Sequence, residues 1–99
     1  MSEVLDVIAT IQVQPGRADR VVEIVTGHLE SVRAEDGCLR YDLFRVRRDP
    51  DTLVMVEQWA SKDALRAHGT APHFQQMSAE LAAEVAGAPV VRVLDPVIS

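Results

Sequence analysis

The sequence contains no asparagine, a single cysteine (Cys38), a single lysine (Lys62) and only four aromatic residues, Tyr41, Phe44, Trp59 and Phe74, in 99 positions. One cysteine excludes an intrachain disulfide and any cysteine-built zinc cage, and it fits a reducing compartment. With so few aromatics, the core must be assembled from Val, Ala and Leu, and an aromatic-lined site has to draw on those four side chains. The arginines are dispersed through a chain of net charge −5, which argues against a phosphate-tracking surface, so nucleic acid is not an expected partner. Unbroken apolar runs are only a few residues long, far below the roughly 20 that a membrane span needs. No basic segment precedes an apolar run near the start. Neither a signal peptide nor a membrane association is expected, and a cytoplasmic protein is.

What is present is a globular pattern: 47% of residues are hydrophobic, enough for one modest core, and residues 1–99 read as a single domain. Leu5, Val7, Ala9, Ile11 and Val13 alternate as a half-buried strand, ended by Pro15-Gly16. A helix over 17–34 places Ala18, Val21, Val22, Val25, Leu29 and Val32 in one stripe, with Gly37 as its stop. Residues 38–48 form a second strand, with Leu39, Tyr41 and Leu43 facing one way and Phe44 and Val46 the other. Asp49-Pro50-Asp51-Thr52 is a turn, and residues 53–60 are a third strand. Ser61 caps a short helix over 62–68 that Gly69 breaks. Pro72 opens a further helix running to about Ala86, with Phe74, Met77, Leu81 and Val85 buried, and residues 90–94 are a fourth strand. The fold class is α+β, a ferredoxin-like split βαβ with a four-stranded antiparallel sheet. Helices cover one face of such a sheet, yet the first three strands are apolar on both faces. A second copy packed sheet against sheet is the expected cover, because the five residues 95–99 are too few to fill that role.

Strand three places Glu57 in a row with Leu53, Met55 and Trp59. A carboxylate there must find a partner or be driven towards its neutral form. It is either paired with Arg40 or Arg45, or a proton carrier beside an apolar ligand. Trp59 is either core filler or a stacking surface. His68 and His73 bracket the junction Gly69-Thr70-Ala71-Pro72. His73 lies in the first helical turn, where the dipole disfavours imidazolium, so it can serve as a proton acceptor looking into an apolar cavity; the alternative is a residue that packs the junction. His28, at the edge of the first helix's stripe, is structural. No metal is expected: the two histidines lack an i, i+4 spacing and no cysteine assists. Nothing places a histidine beside Cys38, and no glycine-rich phosphate loop occurs.

The segment Glu35-Asp36-Gly37-Cys38-Leu39-Arg40-Tyr41, then Glu57-Gln58-Trp59-Ala60-Ser61-Lys62-Asp63-Ala64-Leu65, then His68 and Pro72-His73-Phe74, resembles the antibiotic biosynthesis monooxygenase family. That resemblance implies a dimeric α+β barrel, a homodimer through the sheet faces, and a ligand cavity between sheet and helices. It also implies cofactor-independent oxygenation of quinols or polyphenolic aromatics. Motif positions that would line the cavity are Tyr41, Glu57, Trp59, His68, His73 and Phe74. On that reading His73 is the base, assisted by His68 or Glu57, and Tyr41, Trp59 and Phe74 shape an aromatic slot. Aromatic polyketide oxygenases and the haem-degrading branch use an asparagine, which this chain lacks, so neither of those sites transfers whole. Two other functions fit the same residues: isomerisation of a small carbonyl compound, and a non-catalytic ligand-binding or stress-response dimer.

Overall fold

Alternation along β1 (Leu5–Gln12) is realised fully: Leu5, Val7, Ala9 and Ile11 are buried, while Asp6, Ile8 and Thr10 face the other way. The computed structural model describes residues 3–98. After β1 the chain runs through α1 (Ala18–Arg33), β2 (Cys38–Arg45), β3 (Thr52–Trp59), α2 (Lys62–Thr70), α3 (Pro72–Leu81) and β4 (Val90–Leu94). Every strand pair is antiparallel, and the order across the sheet is β2-β3-β1-β4. This is the ferredoxin-like α+β fold, in which α1 carries the chain over β3 from β1 to β2. The helices cover one sheet face: Val21, Ile24, Val25 and Val32 of α1 and Met77 and Leu81 of α3 meet Val7, Leu53, Met55 and Trp59 across a single core. No helix among the described residues is long and apolar enough to cross a membrane.

Four local expectations differ from the structure. Leu39 does not share a face with Tyr41. A bulge between Cys38 and Arg40 inserts it as an extra residue, so it is exposed while Tyr41 is buried. Gly69 does not break α2, which continues to Thr70; the break is Ala71, whose extended backbone (ψ 138°) precedes Pro72 as the residue before a proline prefers. α3 stops at Leu81 rather than near Ala86. Val85 instead bridges Val13, Glu84 O accepts from Gln14 N at 2.8 Å, and a buried Glu84 carboxylate pairs with Arg17. These contacts, with Ala86 N donating to Gln12 O at 2.8 Å, satisfy the backbone of the segment against the end of β1 in place of a further helical turn. Ile24, absent from the expected stripe of α1, is buried in it.

The opposite sheet face is open and largely apolar. Phe44, Val54, Thr10 and Val90 form one cross-strand row, and Val56 and Ile8 lie in the next. The C-terminal tail leaves this face uncovered: Val97 and Ile98 are 93% and 95% exposed.

Candidate active site

Between the sheet and the pair α2–α3 lies a cavity of about 230 Å³ whose walls are mostly apolar, among them Val7, Met55, Leu65, Phe74 and Met77. Only a few polar side chains reach it, notably Tyr41, Glu57 and His68. Pro89 and Val91 of the β4 edge also line it, and Val91 is 61% exposed, which puts the mouth on that side.

Each polar group is set by its element. Glu57 occupies a core-facing position of β3, opposite Val7 on β1 and Tyr41 on β2. Its partner is neither Arg40, which pairs with Asp42, nor Arg45, which pairs with Asp19. Instead Trp59 Nε1–H donates to Glu57 Oε1 at 2.9 Å. Burial holds this carboxyl above the usual glutamate range; the indole N–H and His68 act in the other direction, and the Glu35 charge adds to the rise. Tyr41 is held as a neutral phenol, its pKa pushed far up by burial first and then by the Glu57, Glu35 and Cys38 charges. The same physics keeps Cys38 a thiol, through burial and then Glu35 and Glu57.

His68, near the C-terminal end of α2, is packed between rings: Trp59 at 4.6 Å and 32°, Phe74 at 4.6 Å and 57°, and Tyr41 edge-on at 5.5 Å. Its Nδ1–H donates to Glu35 Oε2 at 2.9 Å. Glu35 Oε2 is also joined to His73 Nε2 by a hydrogen bond of 2.6 Å. Among the described residues no fully buried side-chain nitrogen or oxygen lacks a partner. No hydrogen bond among the described residues involves His68 Nε2, Glu57 Oε2 or Tyr41 Oη, so these atoms are free to meet a ligand in the cavity that their side chains line. A carboxylate on Nδ1 fixes the imidazole so that Nε2 presents its lone pair. The chamber therefore holds a proton acceptor, a carboxyl biased towards its protonated form and a neutral phenol.

Of the six residues expected at the site, Tyr41, Glu57, His68 and Phe74 line the cavity. Trp59 does not; it is fully buried beneath, as packing for His68 and donor to Glu57. His73 does not line it either, because its ring turns to Glu35 and keeps 29% of its side chain exposed. The residue that sequence reasoning missed is Glu35. It lies between the end of α1 and Gly37, where a positive φ of 85° lets the turn come within contact of Ala64 on α2 and brings the carboxylate under His68. The signal available was an acidic residue just ahead of a glycine at a helix end. His28 pairs with Glu80 across α1 and α3, as a structural residue does. Among the described residues, no group of three or more His, Cys, Asp or Glu side chains is disposed to hold a metal ion.

The sequence profile of the family described as antibiotic biosynthesis monooxygenase matches residues 5–80. The Escherichia coli K12 protein YgiN, named a probable quinol monooxygenase, is 31% identical over 102 residues, covering 93% of this chain and 97% of that one. Among solved structures, Pseudomonas aeruginosa PA3566 superposes with a TM-score of 0.88 at 34% identity, covering 99% of this chain and 98% of that chain. Mycobacterium tuberculosis Rv0793 does so with a TM-score of 0.87 at 29% identity and 98% coverage of both.

Proposed function

This chain belongs to the antibiotic biosynthesis monooxygenase family, which supports a monooxygenase-type activity, and from that premise we propose that it oxidises a quinol or small polyphenolic aromatic with dioxygen, without metal or flavin. The observation that carries the reading is His68: a buried ring, pinned by Glu35 on one nitrogen and offering the other to an apolar chamber. Size supports the substrate class. A dry cavity of about 150 Å³ takes up benzene, so 230 Å³ suits one ring or two fused rings.

In this reading His68 Nε2 removes a hydroxyl proton from the bound hydroquinone. Glu57 and Tyr41 hydrogen-bond the other oxygen and hold the ring in place. The resulting anion is electron-rich enough to pass one electron to dioxygen. The semiquinone radical and superoxide combine at a ring carbon, which becomes C–O–O⁻ and is protonated to the hydroperoxide. Loss of that carbon's hydrogen together with the outer oxygen, as water, leaves a carbonyl. Hydroquinone plus dioxygen thus gives hydroxyquinone plus water, with all four oxidising equivalents of dioxygen consumed. The protein's contribution is a base, orientation and exclusion of water.

The pairing of His68 with a protonation-biased Glu57 across one chamber also suits a second reading, isomerisation of a small carbonyl compound by moving one proton off and another on. Oxygen uptake by metal-stripped protein with a panel of one- and two-ring quinols separates the two. Uptake above the buffer blank that falls about 10²–10⁴-fold in His68→Gln is the expected result. No uptake with any quinol, or turnover of a carbonyl compound without oxygen, would overturn the monooxygenase reading. Homodimerisation through the open sheet face is part of the proposal, supported by the exposed rows through Phe44 and Val90. Sedimentation as a monomer at micromolar concentration would sink that part.

A further inference from the structure

We propose that His68, Glu35 and His73 form a proton relay that connects the base of the apolar chamber to solvent on the side away from its mouth-lining residues, with Glu35 and His73 as positioning and relay residues rather than groups that touch substrate. The inference rests on the reading of His68 as the site's base. Three observations carry it. The chain of contacts is continuous: His68 Nδ1 to Glu35 Oε2 at 2.9 Å, and the same oxygen to His73 Nε2 at 2.6 Å. Exposure rises along it, from 5% of the His68 side chain through 12% of Glu35 to 29% of His73. Finally, the two ends face different media, His68 being a wall of the cavity and His73 lying outside its lining.

A base in an apolar chamber has to dispose of the proton it takes, and water inside would quench the oxygen chemistry. The relay moves that proton without a water molecule entering beside the substrate. The substrate O–H proton goes to His68 Nε2. With Glu35 a carboxylate and His73 carrying a proton on each ring nitrogen at the start, the His68 Nδ1 proton moves onto Glu35, the proton between Glu35 and His73 stays on His73 Nε2, and the His73 Nδ1 proton leaves to water. One N–H or O–H bond forms for each one broken, one proton reaches solvent, and no oxidant is involved. Protonation of the peroxide oxygen runs the same chain inward and restores the starting state. The lone imidazole nearest solvent is thereby given a task that no cavity contact would explain.

The test uses the full-length protein with ¹⁵N-labelled histidine and reads exchange of the His68 ring proton with water by nuclear magnetic resonance. His73→Gln is the informative variant, because a glutamine amide can still donate to Glu35 but cannot take a proton on one side and release it on the other. Exchange slowed roughly ten- to hundredfold, the scale of losing a positioned proton carrier, is expected with the fold intact. Exchange at the parent rate would overturn the relay, whatever the protein's substrate. On a quinol, His73→Gln should lower kcat with KM nearly unchanged, and added imidazole should restore kcat; loss that imidazole cannot restore counts against the relay. If the parent consumes no oxygen while His73→Gln still slows exchange, the relay stands and the monooxygenase reading falls.

Discussion

Gly37→Ala is the perturbation that most directly probes how the site is assembled. Gly37 has φ +85°, and a Cβ on it would lie 2.5 Å from the Ala64 Cβ and 3.6 Å from that of Ala60. A methyl carbon fixed to a helix cannot rotate away, so either α2 or the turn has to move. Two costs add: a left-handed backbone for an L-residue, about 1–2 kcal/mol, and relief of the clash by backbone displacement, about 1–3 kcal/mol. Gly16 separates them, since its φ of +79° is similar but nothing lies within 4 Å of its missing Cβ. Gly16→Ala should therefore lose about 1–2 kcal/mol and Gly37→Ala about 2–5 kcal/mol, each kcal/mol lowering Tm by about 4–8 °C in a domain of this size. Urea and thermal unfolding at one fixed protein concentration read the difference. Because the same turn carries Glu35, Gly37→Ala should also impair whatever activity depends on His68, and Gly16→Ala should spare it. Equal losses in the two variants, within about 0.5 kcal/mol, would refute the claim that the Gly37–Ala64 contact is tight and that it places Glu35.

Burial holds Glu57 above the ordinary carboxylate range, so the folded chain favours its protonated form and stability falls as pH rises from the unfolded glutamate value through the raised folded one. Glu57→Gln keeps an oxygen for the Trp59 N–H and removes that decline. The variant should gain on the parent across that window, and the two should converge below it, in urea titrations from about pH 4 to pH 8; parallel curves would contradict the assignment. Tyr41 accepts from Arg33 only through its backbone carbonyl, and no hydrogen bond among the described residues uses its hydroxyl, so Tyr41→Phe should move stability by no more than about 0.5 kcal/mol while KM for a dihydroxy aromatic rises. A stability loss above about 1.5 kcal/mol would mean that the hydroxyl is already bonded within the protein.

Regular alternation and turn chemistry made the strands, α1 and the Asp49–Thr52 turn legible in the sequence, because each is set by neighbours a few residues apart. Leu39 was not, since a period-2 pattern runs unbroken through Leu39, Tyr41 and Leu43 while the bulge is imposed by pairing with Trp59 and Gln58 on β3. His73 lies on the flank of the helical stripe, and only the bend at Ala71 turns its ring to Glu35 instead of the cavity. Glu35 was hidden most deeply. Its partners are 33 and 38 residues away, and what joins them is a packing contact between a glycine and an alanine, which no periodicity records. The polar residues of the chamber, by contrast, were visible as anomalies: Glu57 interrupts an apolar row, and His68 sits at a helix junction.

Strand β3 is a single ply shared by two jobs. Met55 and Glu57 belong to the chamber, while Val54 and Val56, their immediate neighbours, belong to the open surface. Deleting or inserting one residue near the start of Thr52–Trp59 would exchange the two sets over the rest of the strand, presenting a carboxyl and the indole to the outside and valines to the chamber. The strand thus forbids changes of length, whereas the exposed turn over 46–50 can absorb them. Gene-level drift in this protein should accordingly be written as substitutions along β3 and as insertions only at the hairpin tip.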